Sequence, residues 1–273
     1  MNRCEPVLRR KTMLSLDVAI STYKPEGVER VAKMLEPLPV KDGVRYIVSW
    51  QEHGNTAIPE SLEKRGDVVV YRFDRKGLSN NRNNALDHCQ GDIILIADDD
   101  LTYHKDFATK VTDAFAANPD MDVATFKIEF ARPKQYPSKN TKLSSSLPKN
   151  YYVSSIELGI RRDSLGGLRF DPALGLGADK MHCGEEEVFL YSAIKKGLKC
   201  WFINEELATH LQDTTGDKLT EEVLAGHGYV IATLYPATAL FRVVLKAYRL
   251  RKNKKGPFLK TLGALLKGVG YRR

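Results

Sequence analysis

Three consecutive carboxylates, Asp98, Asp99 and Asp100, follow a short apolar run from Ile93 to Ala97. The run has the length and the β-branched content of a buried strand. Three adjacent like charges at a strand end repel each other unless a cation neutralises them. Alternation along an extended chain puts Asp98 and Asp100 on one side and Asp99 on the other. Oxygen ligands at this position suit Mg²⁺ or Mn²⁺, which also accept phosphate oxygens and water.

Each of the candidate polar groups also has a simpler interpretation. The acidic triplet could be a solvated turn that caps the next helix, although one aspartate would be enough for that role. The glutamates at 185–187 would favour the positive end of a helix dipole, and two would satisfy it. His210, taken alone, fits a structural histidine better than a metal ligand. The triplet nevertheless favours a metal site.

Alternating strands and helices must position these residues. Apolar periodicity predicts strands at 16–21, 44–50, 68–73, 93–97, 123–130 and 199–203, and helices at 25–35, 58–64, 78–88, 105–117 and 188–195. This order indicates an α/β fold with three layers, a mostly parallel sheet and right-handed crossovers. Ligands of such sheets bind at the carboxyl ends of the strands. No G-x-G-x-x-G follows the first strand and no Walker A motif occurs.

The net charge of +8 is distributed unevenly over the 273 residues. Residues 223–273 carry eleven Lys and Arg and no acidic residue, so the rest has 31 basic and 34 acidic residues, a net charge of −3. A slightly acidic body does not favour nucleic acid as a partner, whereas a basic tail suits an anionic surface. The four cysteines lack paired spacing, which fits a reducing compartment. The sequence therefore predicts a main domain at 1–222 and a basic helical extension at 223–273.

The extension has an amphipathic pattern. Apolar residues recur at helical spacing in two segments, at Phe241, Val244, Leu245 and Tyr248, and again at Leu262, Leu265, Leu266 and Val269. Apolar stripes beside basic residues, without acids, are typical of helices that lie in an anionic membrane interface. Alternatively, the first helix covers the sheet and only the chain from Lys252 onward is solvated. We expect a cytoplasmic protein that is peripheral at the inner face of the membrane.

A long polar segment at 133–150 is rich in Pro, Ser, Lys and Asn. A loop of this length within a compact domain is usually functional or disordered. Both an active-site lid and an insertion without a role remain open for it.

The motifs in their order resemble those of the family 2 inverting glycosyltransferases with the GT-A fold, from Leu16 to about His210. The resemblance rests on the strand end Ser21-Thr22-Tyr23, on Gly77-Leu78-Ser79-Asn80-Asn81-Arg82-Asn83 (G-L-S-x-x-R-N in the family), on Gly91-Asp92 leading into Asp98-Asp99-Asp100 (D-x-D), on Phe170-Asp171-Pro172 with Gly175 and Gly177, on Gly184-Glu185-Glu186 (G-E-D) and on His210.

The resemblance implies a GT-A, Rossmann-like catalytic domain and a donor site made of named residues. Thr22 and Tyr23 would line the nucleotide pocket, and Arg82 would help to hold the nucleotide end of the donor. Asp98 would contact the ribose, and Asp99 is grouped with these donor-binding residues. Many members carry an acidic residue after the second strand that reads the nucleotide base, whereas this chain has 49–52 as Ser-Trp-Gln-Glu.

The resemblance also implies a metal and a base. Asp100 would ligate Mn²⁺ or Mg²⁺ at the donor diphosphate, with His210 as a second ligand. Glu186, at the third position of G-E-D, would be the general base, and Glu185 would shape the acceptor site. Because the base position holds Glu instead of Asp, both glutamates stay candidates for the base.

The expected activity is transfer of a hexosyl or N-acetylhexosaminyl group, with inversion, from a nucleotide-diphospho-sugar to an acceptor hydroxyl. The donor is expected to be a UDP-sugar, and the acceptor a glycan or a lipid-linked glycan in cell-surface polysaccharide or glycolipid synthesis. One alternative is a metal-dependent nucleotidyltransferase or phosphohydrolase, whose usual Gly-rich signature or strand-1 nucleophile is missing. Another is an inactive, membrane-associated scaffold with a GT-A-like fold, against which Asp100, Glu186 and His210 argue.

Overall fold

A computed structural model describes residues 13–211 and 219–271 of the protein. Within these ranges the chain forms one sheet and eight α-helices. The strands are β1 (Leu16–Tyr23), β2 (Val44–Gln51), β3 (Val68–Phe73), β4 (Ile93–Asp98), β5 (Thr102–Tyr103), β6 (Val123–Phe130), β7 (Thr141–Leu143), β8 (Leu158–Arg161) and β9 (Cys200–His210). The helices are α1 (Pro25–Leu35), α2 (Glu60–Glu63), α3 (Leu78–His88), α4 (Phe107–Ala117), α5 (Glu185–Lys195), α6 (Glu221–Leu234), α7 (Ala239–Lys252) and α8 (Phe258–Tyr271).

The strands lie in the order β3-β2-β1-β4-β8-β6-β9-β5, and β7 pairs with β9. The four strands from β3 to β4 are parallel, and β6 is parallel to β9. Strand β8 runs antiparallel between β4 and β6. The mostly parallel α/β sheet expected from the sequence is confirmed.

Apolar side chains cover both faces of the sheet, which gives the three layers. On β1, Val18 and Ile20 belong to one buried cluster, together with residues of α1 and α4, whereas Ala19 belongs to a second cluster with residues of α3 and α5. On β4, the odd and even positions divide between the same two clusters. Continuous apolar runs are expected for strands that are buried on both faces.

Some helices and strands are longer than predicted, and some strands were not predicted. Helix α5 begins at Glu185 and strand β9 continues to His210, so that both carry candidate residues into the site. Strand β8 was not predicted because it is short and contains Gly159. A Cβ at Gly159 would lie 3.0 Å from the Phe126 ring and 3.2 Å from the Phe115 ring, so glycine lets both rings pack against the strand.

The C-terminal helices pack closely on one another. A side chain at Gly228 of α6 would overlap the Leu265 carbonyl group of α8, and one at Gly268 would overlap the Ala225 carbonyl group. Val243 and Ala247 of α7 are buried with Leu265 in a separate apolar cluster. The two predicted helices of the extension are therefore present, and Leu265 of the predicted surface stripe lies inside the bundle.

No single helix in the described ranges is long and apolar enough to cross a membrane. By length and composition only, α6 and the segment Pro236–Lys252, which meet at a bend of 119°, pass such a test as a pair. Of the four cysteines, Cys4 lies outside the described residues, and Cys89, Cys183 and Cys200 are free thiols. The division of the chain at residue 222 stays a prediction.

Candidate functional site

The carboxyl ends of β1 and β4 meet at one edge of the sheet, where Ser21 pairs with Asp98. Tyr23 at this edge is 43% exposed, whereas the next-door Thr22 is buried. The Thr22 hydroxyl donates a hydrogen bond to Asp99. Of the two residues predicted to line the nucleotide pocket, Tyr23 is thus the one whose side chain is open to a ligand.

Asp99 faces away from its two neighbours, as strand alternation predicts. Arg30 of α1 binds it with two hydrogen bonds, from Nε at 3.0 Å and from Nη2 at 2.9 Å. Burial raises the pKa of Asp99, and the bonds from Arg30 and Thr22 act in the opposite direction. Asp99 therefore links the site to α1, and its contribution to donor binding stays a prediction.

Arg82 of α3 is 2% exposed and connects two of the candidate carboxylates. Its Nη1 donates to Glu185 at 2.7 Å, and its Nη2 donates to Asp98 at 3.0 Å. Burial acts to lower the pKa of Arg82, but the charges of Asp98, Glu185 and Glu186 raise it. The guanidinium thus fixes the first turn of α5 against the end of β4.

The residues around Arg82 in its motif dock α3 on the segment 170–176. Asn83 exchanges two hydrogen bonds with the Phe170 backbone, at 2.8 and 2.9 Å. The Ser79 hydroxyl donates to the Leu174 carbonyl at 2.7 Å. Gly175, at a φ of 97°, would place a Cβ 3.2 Å from the Glu185 carboxyl carbon. The G-L-S-x-x-R-N motif and the Phe-Asp-Pro segment therefore support each other and leave room for Glu185.

Asp100 and His210 come together from distant parts of the chain. The His210 Nε2 lies 3.3 Å from Asp100 Oδ2. The hydrogen bond to Asp100 raises the pKa of His210. Asp100 Oδ1 and His210 Nδ1 are both buried and have no hydrogen-bond partner among the residues that the structure describes. A carboxylate and an imidazole with free electron pairs suit a divalent ion such as Mn²⁺.

Within residues 13–211 and 219–271, no group of three or more His, Cys, Asp or Glu side chains could hold a metal ion. The Asp100–His210 pair would therefore need further ligands from a bound substrate or from water. Mg²⁺ and Mn²⁺ commonly bind in this way when the substrate carries phosphates.

The three glutamates of α5 have different surroundings. Gly184 precedes them at a φ of 94°, a left-handed conformation that favours glycine. Glu185 is 5% exposed and is bound to Arg82. Burial raises the pKa of Glu186 well above its ordinary value, and the charges of Glu185 and Glu187 raise it further. Burial also raises the pKa of Glu187, and Lys246 opposes this.

Sequence analysis missed a buried ion pair beside these glutamates. The side chain of Lys134 is 1% exposed, and it pairs with Glu157, which is fully buried. Tyr136 donates to Glu157 at 2.7 Å, and the Tyr152 ring lies 4.2 Å from the Lys134 ammonium. The charges of Glu157, Glu186 and Glu187 oppose the lowering of the Lys134 pKa by burial. The polar composition of residues 133–150 gave no sign that Lys134 is buried. A lid function for this loop stays a prediction.

Comparison with known proteins connects this geometry to a family. Residues 54–173 match the family model described as Glycosyl transferase family 2. No protein with a curated description matches the chain by sequence.

Solved structures with a similar fold include TarS 1-349 of S. aureus, which is 15% identical with a TM-score of 0.61 over 95% of this chain and 82% of that chain. The same TarS fragment in complex with UDP-GlcNAc gives a TM-score of 0.62 at 15% identity over the same shares of the two chains. At this identity the similarity shows the fold, which is the GT-A-like fold expected from the sequence. The motifs around Arg82 and Asp98–Asp100 fall inside the range matched by the family model. The resemblance found in the sequence motifs is therefore confirmed over residues 54–173, the part of the chain that is similar to glycosyl transferase family 2.

Proposed function

We propose that this protein transfers a sugar from a nucleoside-diphosphate sugar, a UDP-sugar in our expectation, to an acceptor hydroxyl with inversion. This proposal rests on the cluster of side chains at the sheet edge. There Arg82 binds both Asp98 and Glu185, close to the Asp100–His210 pair. The match of residues 54–173 to the model of glycosyl transferase family 2 supports glycosyl transfer, and the bound UDP and UDP-GlcNAc of the TarS structures support this class of donor.

Asp100 and His210 are the residues that would hold a divalent ion, Mn²⁺ or Mg²⁺. Their buried atoms without partners fit such a role. When bound, the ion supplies Lewis acidity that neutralises the charge of a departing diphosphate. Asp98 accepts hydrogen bonds from Arg82 at both oxygens, and its side chain is 32% exposed, so it can still orient the donor.

Glu186 is the better candidate for the general base. Glu185 is bound to the buried Arg82, so its carboxylate is already engaged in an ion pair. Within residues 13–211 and 219–271 Glu186 has no such ion pair, and its raised pKa suits a general base. As base, Glu186 takes the proton of the acceptor hydroxyl while that oxygen attacks the anomeric carbon. A single displacement of this kind inverts the anomeric centre.

The test compares Glu186→Gln with Glu185→Gln in the presence of Mn²⁺ and a panel of sugar nucleotides. We expect Glu186→Gln to bind UDP normally but to lose about 10²–10⁴-fold in transfer rate, the usual contribution of a general base. A larger loss in Glu185→Gln, with UDP binding unchanged, would move the base to Glu185. Release of a sugar 1-phosphate instead of UDP would favour a nucleotidyltransferase or phosphohydrolase, and UDP binding without turnover of any donor would favour a scaffold.

We further propose that the protein acts in cell-surface polysaccharide or glycolipid synthesis as a peripheral protein at the cytoplasmic face of the membrane. Phe241 of α7 is 71% exposed and Leu259 of α8 is 80% exposed. These side chains lie in a segment that carries eleven basic and no acidic residues. Each basic residue near an anionic surface contributes about 1 kcal/mol, and inserted apolar side chains add to this.

The membrane proposal is tested by sedimentation with phosphatidylserine-containing vesicles at low and high salt. The variant Phe241→Ser with Leu259→Ser should bind much more weakly than the native chain. Val40→Ser is the matched control, because Val40 is a 63% exposed apolar residue of the other part of the molecule. Equal loss in the control, or no vesicle binding by the native chain, would contradict the proposal.

A further inference from the structure

A cavity of about 380 Å³ lies between α5, α6, α7 and the end of the polar loop. Its walls come from residues 146–151, from Glu187 of α5, from His227 and Val230 of α6 and from Lys246 of α7. Most of the remaining lining is apolar or aromatic. A cavity of this size with a few convergent polar groups is typical of a small-molecule binding site, for which volumes of roughly 300–1,000 Å³ are usual.

Lys246 is the unusual member of this lining. Burial lowers its pKa, and the charges of Glu187 and Cys183 oppose this. Within the part of the chain that the structure describes, its ammonium group makes no hydrogen bond and no ion pair closer than 4 Å. Lys246 is partly buried and lines the cavity, so an anion or a hydroxyl group bound there would supply the hydrogen bonds that its ammonium group lacks.

His227 adds a second group without a partner. Its Nδ1 is buried and makes no hydrogen bond to any of the described residues. Burial, and then the charge of Lys246, lower the pKa of His227 to about 3. The imidazole is therefore neutral at physiological pH, and it offers the cavity one uncharged hydrogen-bonding group beside a cation.

The first turn of α5 relates this cavity to the reaction. Successive side chains on a helix diverge by about 100°. Glu185 is directed to Arg82 and the donor side of the site, while Glu187 lines the cavity and interacts with Lys246. Glu186 comes between them in the first turn of α5, and it interacts electrostatically with both. A base that removes a proton from an acceptor must stand where donor and acceptor meet.

We propose that this cavity binds the acceptor, and that Lys246 binds a phosphate or carboxylate group of that acceptor while His227 hydrogen-bonds one of its hydroxyl groups. The inference rests on the proposed glycosyltransferase function and adds the acceptor's chemical class to it. The donor's own phosphates are proposed to bind at Asp100 and His210, neither of which lines the cavity, so the cavity is free for a second anion.

The experiment uses the full-length protein saturated with UDP and Mg²⁺, which fills the donor site, and titrates inorganic phosphate by calorimetry. Lys246→Met should weaken phosphate binding by about tenfold or more, the usual size of a charge-assisted hydrogen bond. Lys246→Arg should stay within about threefold of the native chain because it keeps the charge. Lys252→Met is the matched control, since Lys252 is an exposed lysine of the same helix.

The UDP affinity of each variant is measured in the same experiment and should not change. If phosphate binds equally well to Lys246→Met, if Lys252→Met loses as much, or if the native chain binds no phosphate, the inference is wrong while the proposed function stands. If the native chain binds no UDP, the proposed function has failed instead. The two failures are therefore distinguishable.

Discussion

Replacement of Arg82 by methionine should be among the most destabilising substitutions at the site. The Arg82 and Glu185 side chains are 2% and 7% exposed, so their ion pair is shielded from water. The second partner, Asp98, is 32% exposed and can regain water when Arg82 is lost. Methionine has a similar length and keeps a contact with the Phe170 ring, which lies 5.6 Å from the guanidinium carbon. The substitution thus removes mainly charge and hydrogen bonds.

The expected cost follows from the burial of Glu185. Loss of one partner of a buried ion pair typically costs about 3–5 kcal/mol, because the other charge stays buried without compensation. Because Asp98 is partly exposed to water, we assign this loss of unfolding free energy to the ion pair of Arg82 with Glu185. In a chain of this size each kcal/mol corresponds to roughly 2–4 °C in Tm, so the shift should be about 6–20 °C.

Urea unfolding and calorimetry would measure this loss, with Arg169→Met as the matched control. Arg169 forms an ion pair with Asp87, which belongs to α3 like Arg82, but the Arg169 and Asp87 side chains are 41% and 55% exposed. An exposed pair contributes about 0–1 kcal/mol, so the control should unfold almost like the native chain.

Adding Glu185→Gln to Arg82→Met should restore part of the stability, because it removes the carboxylate that lost its partner. A loss below about 1 kcal/mol in Arg82→Met, or strictly additive effects in the double variant, would refute the reasoning.

The remaining predictions concern the base, the metal and the helical bundle. Glu187→Gln removes a charge that raises the pKa of Glu186, so the fall of kcat/KM on the acid side should move to lower pH in a pH–rate profile. Asp100→Ala should abolish metal-dependent turnover, and full activity of the native enzyme in excess chelator would contradict it. Gly228→Ala should cost about 1–3 kcal/mol by overpacking against α8, measured by urea unfolding. Gly263→Ala, with no atom within 4 Å of the new Cβ, should be neutral or stabilising by about 0.5–1 kcal/mol.

Much of the catalytic sheet can be predicted because its strands are continuous apolar runs. The predicted ends of β3 and β6 agree with the structure, and both lie between clear turn signals. The short antiparallel β8 could not be predicted in this way, because a four-residue strand that contains glycine has no measurable period. Strand β9 was predicted too short because its second half, 204–210, reads Asn-Glu-Glu-Leu-Ala-Thr-His and has neither a continuous apolar run nor a regular alternation.

The side-chain partners within the site were beyond sequence reasoning. Arg82 and Glu185 are separated by 103 positions, and Asp99 and Arg30 by 69. Local periodicity carries no information on such pairs. It shows which face of a helix or strand is buried, but not which residues of other elements contact that face. The sequence showed that three carboxylates at 98–100 need compensation, and the structure supplies different partners for each of them.

The C-terminal helices belong to the architecture of the site as well as to the proposed membrane surface. The Cys183 thiol donates to the Val223 carbonyl at 3.3 Å, and a side chain at Gly184 would overlap Val230 of α6. Helix α6 therefore packs directly on the turn that begins α5 and carries Glu186. Helix α7 brings Lys246 to Glu187 from its inner side while it exposes Phe241 on its outer side. One helix can thus present its apolar surface to a membrane and, on its opposite side, complete the cavity next to the base.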